Sequence, residues 1–270
     1  MLFTAMSGAN QALEQQAVVA NNLANIVTPG FRAQLVEMQS SPVAGEGLPT
    51  RVSVAANGIG VDWSQGPVVH TDRALDVALG ENVMLAVQAG DGSEAYTRRG
   101  DLQVDGTGAM SVGGRPVIGD GGPVTVPLGS EVTLGSDGTI SVRELGMSPR
   151  GLSPVGKLKL VSALPGTLQP GTDGLFRTAN TQPLPADDTL RVAPGALEGS
   201  NVSPTNAMVA MIDNSRRYDM QMKAISTADE NAKSVRKKSS AKRSPAIGRI
   251  GWWRPKSVSA RQTVCPTAVA

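Results

Sequence analysis

The sequence is poor in the side chains on which many catalytic and metal sites depend. Its 270 residues include one cysteine, Cys265, and one histidine, His70. A single cysteine cannot form a disulfide within the chain, and a single histidine cannot build a multi-histidine metal site. Paired acidic residues such as Asp187 and Asp188 lie in turn-rich stretches, where carboxylates usually bond to the local backbone. We therefore predict no catalytic, cofactor-binding or metal-binding residues, and a protein that is not an enzyme.

Aromatic residues and long apolar runs are scarce as well. The chain has three Phe, two Tyr and three Trp, against 31 Gly and 18 Pro. This composition favours many turns and short strands packed with aliphatic side chains. No window approaches the about 18 consecutive apolar residues of a membrane-spanning helix, so no transmembrane segment is expected. The first residues lack a basic region ahead of polar Asn10, which argues against a cleaved signal peptide.

The formal net charge of +2 averages two unlike segments. Residues 236–270 contain nine Lys and Arg residues and no acidic residue. Residues 1–235 therefore contain 16 basic and 23 acidic residues and have a net charge of −7. An acidic body argues against a folded nucleic-acid-binding surface, because such a surface needs a basic face. A nucleic-acid- or envelope-binding protein acting through the basic tail is the weaker alternative.

The first segment has the spacing of a helix that packs along a narrow stripe. Its residues follow alternating steps of four and three, as the a and d positions of a heptad do, and Pro29-Gly30 ends the pattern. A stripe this narrow indicates partner helices rather than a helix buried in a core. The stripe comprises Leu2, Met6, Ala9, Leu13, Gln16, Ala20, Leu23 and Val27.

A second helix with the same spacing is predicted near the other end. Ser203 is placed to cap it, and Pro204 suits the first helical position. An ordinary helical hairpin within one chain would use these spacings equally well, so periodicity alone leaves that alternative open. The second stripe comprises Met208, Met211, Ser215, Tyr218, Met222, Ile225, Asp229 and Ala232.

Residues 66–195 have the pattern of a β-rich domain. Short runs such as Val83–Val87 and Thr139–Val142 predict strands, and Asp-Gly or Gly-Gly pairs between such runs predict turns. Strands of this length and spacing indicate a small antiparallel sandwich or barrel-like domain. Residues 33–65 show no sustained period and are predicted to form an extended connector. The predicted fold class is α+β, with helical segments at residues 1–32 and 196–234.

Two terminal motifs resemble those of flagellar axial proteins, the family of rod, hook and hook-associated subunits. Within Ser7–Arg32, the block Asn21–Asn25 carries the N-terminal signature. Leu197–Pro204 and Arg217–Met222 are similar to the C-terminal motif. The middle segment around Arg73–Leu79 resembles the middle domain of the rod proteins, and the resemblance covers about residues 4–232.

The resemblance implies a function in assembly. Terminal helices of axial proteins pair as a coiled coil and pack on neighbouring subunits around a tube, with the middle domain outside. The implied protein is a rod subunit in the flagellar basal body that transmits torque, encloses the export channel and supports motility. The implied partners are copies of itself, other rod proteins and the flagellar export apparatus. A distal rod or hook protein is the nearer alternative.

The same resemblance implies which residues form the assembly interface. Because long, narrow-faced helices are marginal in water, we expect both ends to be disordered in the monomer before assembly, leaving residues 66–195 as a resistant core. On the helices we predict interface roles for Leu2, Met6, Leu13, Ala20, Leu23, Met208, Met211, Tyr218, Met222 and Ile225. We predict that the turn after the first helix seats against a neighbour through Asn21, Asn22, Asn25, Pro29, Gly30 and Phe31.

Residues 235–270 depart from the family pattern and are predicted to be disordered. The heptad is lost and the charge becomes basic at the same place, near Lys233. One hypothesis is that a reading-frame change near the end of the gene has replaced the native terminus. The alternative is a basic extension that contacts peptidoglycan or anionic lipid head groups.

Overall fold

A computed structural model describes residues 2–42, 52–143, 152–164, 166–180 and 182–242. Helix α1 (Leu2–Ala24) opens the chain, helix α2 (Pro204–Lys242) follows the last strand, and the described residues between them form short strands. This arrangement confirms the predicted α+β class with a helix at each end and a β-rich middle. The chain divides into two compact units, Met1–Ile225 and Ser226–Ala270.

The strands are short, as the dense turn signals predict. They are β1 (Gln34–Pro42), β2 (Val52–Val61), β3 (Val68–His70), β4 (Val77–Leu79), β5 (Val83–Gln88), β6 (Glu94–Thr97), β7 (Leu102–Val104), β8 (Met110–Val112), β9 (Arg115–Pro116), β10 (Ile118–Gly119), β11 (Gly122–Pro123), β12 (Glu131–Leu134), β13 (Thr139–Arg143), β14 (Ser153–Lys157), β15 (Leu160–Ser162), β16 (Leu168–Pro170), β17 (Phe176–Thr178), β18 (Val192–Pro194) and β19 (Ala196–Glu198).

These strands form several small antiparallel sheets, and those that the structure describes do not close into a barrel. The largest sheet has the order β15-β5-β6-β17-β16. Two three-stranded sheets, β7-β8-β9 and β12-β13-β14, accompany it, as do the pairs β1-β2, β3-β19, β4-β18 and β10-β11. The barrel-like alternative is therefore wrong, because β3 to β19, with two to six residues each and turns between them, make separate ladders instead of one continuous sheet.

Strand β5 divides the core of the middle domain between its two faces. Leu85 and Val87 point into one cluster of aliphatic side chains, while Met84 and Ala86 point into a second cluster that contains Tyr96. Successive side chains of a strand face opposite ways, so a strand covered on both faces has a continuous apolar run. This explains the unbroken run Val83–Val87, which is buried throughout.

The segment predicted to be an extended connector contains regular structure. Strands β1 and β2 pair antiparallel from Gln34 opposite Val61, and a register shift between Glu37 and Met38 interrupts the ladder. Such a bulge inserts an extra residue on one strand and breaks the period of two, which is why alternation does not reveal the hairpin. Helix α1 packs on this hairpin.

Helix α2 continues past the predicted end at Ser234 to Lys242. Ser203 Oγ accepts a hydrogen bond from Asn206 N at 3.4 Å, as expected of a cap. Beyond Ile225 the described helix has no buried residue, and Lys233 pairs with Asp229 at 2.6 Å. Lys, Arg and Ala favour helix without any apolar stripe, so loss of the heptad did not mark the end of the helix. Residues 243–270 of the predicted tail lie outside the described residues.

Four aspartates stabilise tight turns between strands. The carboxylates of Asp91, Asp105, Asp137 and Asp187 each accept hydrogen bonds from the backbone N and the hydroxyl of the residue two positions later. These hydrogen bonds, with the hydroxyl first, lower the pKa of each carboxyl. In another turn, Arg177 lowers the pKa of Asp173 to about 2.

We expect the folded state to lose stability below about pH 4. Because the folded-state pKa values of these carboxyls lie below the unfolded value of about 3.9, their contribution is present above that pH. It is lost as the pH falls towards about 2, where Asp173 also becomes protonated. Asp105→Asn should therefore make the decline in urea midpoint between about pH 4 and about pH 2 shallower. Asp120→Asn is the control, because its carboxylate accepts no hydrogen bond within the described chain; an equal change in both variants would contradict the assignment.

Candidate assembly site

The segment after α1, the segment before α2 and the β-rich domain come together at one place, which we call the junction. It comprises residues 28–34, 62–67 and 196–203, together with Arg98 of the domain. A buried carboxylate lies at its centre: Glu198 is 1% exposed, Arg32 is 4% exposed and Arg98 is 3% exposed. These three side chains, which we call the ion cluster, come from both ends of the chain and from its middle.

The ion cluster is closely hydrogen-bonded. Arg32 Nη2 lies 2.7 Å from Glu198 Oε1, and Arg98 Nε donates to Glu198 Oε2 at 3.0 Å. Gly66 N donates to Glu198 Oε1 at 3.0 Å, and Arg98 Nη1 donates to Val83 O at 2.9 Å. A buried carboxylate with several donors and two cations is well compensated, whereas any member left alone would be a buried charge without a partner.

The ion cluster has one more cation than anion. Burial lowers the pKa of Arg32, Arg98 lowers it further, and Glu198 opposes both effects. Arg32 donates through Nη1 to Ser64 O, but its Nε is buried without a hydrogen-bond partner. Asp62, which also lies in the junction, raises the pKa of Arg32 as Glu198 does, so the charges of the junction balance while Arg32 Nε stays an unused donor.

Two asparagines fasten the ends of the chain to the hairpin. Asn22 Nδ2 donates to Gln34 O, and Gln34 N donates to Asn22 Oδ1, both at 2.8 Å. Asn201 accepts a hydrogen bond from Ala33 N at 2.7 Å and donates to Asp62 O at 3.0 Å. Asn22, predicted to contact a neighbour, thus bonds to the backbone of its own chain in this structure.

The predicted turn residues lie against the same chain. Gly30 has φ of +65°, and its N donates to Glu198 O at 2.8 Å. A Cβ at this position would lie 2.2 Å from Arg98 O, so only glycine allows this approach. Asn25 Nδ2 caps the helix by donating to Asn21 O at 3.0 Å, and Thr28 Oγ1 donates to Asn25 Oδ1 at 3.1 Å. Pro29 and Phe31 are half-buried, and Asn21 is exposed.

Helix α1 turns only part of its predicted stripe inward. Ala9 and Ala12 are both 5% exposed, and Leu23 is half-buried. Met6 and Leu13 are 48% and 51% exposed, and Ala20 is also exposed. Met6, Leu13 and Ala20 follow one another at seven-residue spacing, and we call them the outer row. The side chain of Leu2 lies outside the described residues.

Helix α2 divides its stripe in the same way. Met211, Tyr218 and Ile225 are half-buried, while Met208 and Met222 are 55% and 43% exposed. The buried positions are Ala207 and Asn214, each one residue before a predicted stripe position. The two helices approach each other at Gly8, where a Cβ would lie 3.0 Å from the side chain of Gln221.

Sequence reasoning missed Arg32, Arg98, Glu198 and Asn201 as structural anchors. Arg32, Glu198 and Asn201 lie within the terminal motifs, so the motif sequences contained a signal for these anchors. The sequence pattern could not show that Arg32 pairs with Glu198, because the two residues are far apart in the chain. Over the described residues, no group of His, Cys, Asp and Glu is arranged to hold a metal ion, and neither helix is long and apolar enough to cross a membrane.

Comparison with known proteins gives the class of the chain. The family model "Flagella basal body rod protein" matches residues 2–32, and "Flagellar basal body rod FlgEFG protein C-terminal" matches residues 193–237. The first range contains α1, the turn after it and Arg32 of the ion cluster. The second range contains Glu198 of the ion cluster and the first part of α2.

Full-length relatives agree with the family models. The chain is 52% identical over 236 residues to the flagellar basal-body rod protein FlgF of Salmonella typhimurium, covering 85% of this chain and 94% of that protein. It is 52% identical over 237 residues to FlgF of Escherichia coli, covering 86% and 94%. FlgG of Agrobacterium fabrum is 30% identical over 261 residues, covering 87% and 98%. The chain belongs to the flagellar basal-body rod protein family, and the predicted structural subunit of the basal-body rod is confirmed.

We expect Glu198→Gln to destabilise the fold strongly. The change leaves two buried guanidinium groups without a counter-charge, which should cost about 3–5 kcal/mol of unfolding free energy. Denaturant titration followed by circular dichroism measures the loss. Glu131→Gln is the control, because Glu131 is 65% exposed in its pair with Arg143 and should cost at most about 1 kcal/mol. Equal losses in the two variants would contradict a central role for the ion cluster.

Proposed function

We propose that this subunit polymerises into the rod through the outward apolar side chains of its two terminal helices. In the polymer, α1 and α2 complete a coiled coil with each other and with the helices of neighbouring subunits. The helices line the export channel, and the β-rich domain faces outward. The observation that carries the proposal is the outer row, in which Met6 and Leu13 are about half exposed at heptad spacing.

The free energy for assembly comes from burying these side chains. Burying an exposed Leu or Met side chain stabilises an assembly by about 1.5–3 kcal/mol. Helix α2 has further apolar side chains that are more than half exposed. Exposed apolar side chains on both helices indicate a surface that binds other subunits. The exposed apolar residues of α2 include Met208, Val209, Ile212 and Met220.

The junction suits a subunit that must transmit torque. A load applied to the helices passes into the β-rich domain through Asn22, Asn201 and the ion cluster, each of which joins backbone segments distant in sequence. The ion cluster resists separation because parting its buried charges is costly. An interface between different faces of two copies repeats without closing and so builds a helical tube. Other rod proteins and the export apparatus are the further partners we propose.

We expect Leu13→Asp to abolish incorporation into rods while leaving the fold intact. The change places a charge in the outer row and should weaken self-association about tenfold or more. Sedimentation of the purified chain and mass analysis of isolated basal bodies measure the two effects. Asn10→Asp, which adds the same charge at an exposed position beside the row, is the control. Normal rods containing Leu13→Asp would contradict the proposal.

We also expect the terminal helices to be cut first when the monomer is treated with a protease. Outside an assembly, each helix lacks part of its apolar contacts and is marginally stable. The ion cluster joins both terminal segments to the domain, so we expect the resistant fragments to include Arg32 and Glu198. These fragments should therefore be longer than residues 66–195. Mass analysis after limited proteolysis tests this; a full-length chain that resists digestion would favour helices that already pack within one subunit.

A further inference from the structure

A cleft of about 900 Å³ lies between the turn after α1 and the β-rich domain. Asn21, Asn25 and Phe31 line one wall. Arg99 and Arg115 line the other, beside the turn at residues 169–176. The cleft is thus formed partly by the motif residues for which the sequence predicts contact with a neighbour.

The cleft is rich in arginine. Arg32, Arg98, Arg99 and Arg115 all line it, against one acidic side chain, Asp173. Arg99 is neutralised by Asp101, with Nε 2.9 Å from Oδ1, and Asp173 is engaged by Arg177 at 2.8 Å. The buried cations Arg32 and Arg98 share the carboxylate of Glu198, and Asp62 also acts on Arg32, so Arg115 is the cation of the wall that no described carboxylate neutralises.

One cation in the cleft has no partner. The side chain of Arg115 is half-buried and makes no hydrogen bond or ion pair with any residue that the structure describes. Its guanidinium lies over Gly90, where a Cβ would come within 2.7 Å of Nη1, so glycine leaves space for this orientation. An unpaired guanidinium group such as that of Arg115 matches the geometry of a carboxylate.

We propose that the cleft binds a carboxylate side chain from a terminal helix of a second copy of this chain. This inference rests on the proposed function, since it names one contact within the rod. The body of the chain is acidic, with 23 acidic and 16 basic residues among residues 1–235. Glu14 on α1, and Asp213 and Asp219 on α2, are exposed and form no ion pair within the described chain. A charged contact at a surface cleft would fix the register between subunits and speed their encounter.

The test is self-association of the purified full-length chain, measured by sedimentation at low and high salt. Arg115→Glu should raise the concentration needed for half-assembly about five- to tenfold at low salt, and less at high salt, where screening weakens charge pairs. Arg191→Glu makes the same charge change at an exposed side chain that bonds only backbone oxygens and does not line the cleft, and it should leave assembly unchanged. Equal assembly of Arg115→Glu and the unmodified chain would overturn the inference.

Charge reversal identifies the partner. One of Glu14→Lys, Asp213→Lys or Asp219→Lys should restore assembly when combined with Arg115→Glu, because the exchanged charges again attract. If Arg115→Glu is impaired and none of the three restores it, the helices of a second copy are not the partner and the inference is wrong.

The two proposals fail in different ways. If Arg115→Glu assembles normally while Leu13→Asp does not, the cleft is not an interface but polymerisation through the helices stands. If the unmodified chain does not associate with itself at any concentration, contact between copies is contradicted, and with it the proposed polymerisation.

Discussion

The pairing of Glu198 with Arg32 and Arg98 is the interaction on which the arrangement of this subunit depends. Each member comes from a different part of the chain, and each is almost fully buried. Buried ion pairs add little net stability over apolar packing, but they are costly to break one partner at a time. Their effect is therefore on specificity: the segment after α1, the segment before α2 and the domain must meet together. Gly30 and Gly66 allow this meeting, because each approaches a backbone carbonyl too closely for a Cβ.

The helices and the β-rich domain bury different kinds of side chain. The β-rich domain buries its aliphatic side chains on both faces of β5. The helices bury mainly alanines, such as Ala9, Ala12 and Ala207, and leave Met and Leu side chains outside. Small buried residues contribute little transfer free energy, so burial within one subunit stabilises the helices less than it stabilises the β-rich domain. The proposed assembly would supply the missing burial.

Sequence reasoning predicted the two helices and the β-rich middle because each has a short-range signal: heptad steps, a Ser-Pro start and Asp-Gly turns. The same reasoning could not assign the faces. The predicted stripe combines two rows of positions, and in the structure the row with Ala9 faces inward while the row with Leu13 stays exposed, a choice that spacing alone does not determine. The hairpin and the ion cluster depend on pairing between distant residues, and spacing within one segment has no information on such pairs.

The structure accounts for part of the terminal motif by contacts within the subunit. Asn22 and Gly30 are required by contacts within the subunit, since one bonds to Gln34 and the other lies against Arg98. Exposed Asn21 also lines the cleft, where a neighbour can reach it. Membership of the terminal motif therefore does not by itself assign a residue to an interface, because part of the motif positions the junction within one subunit.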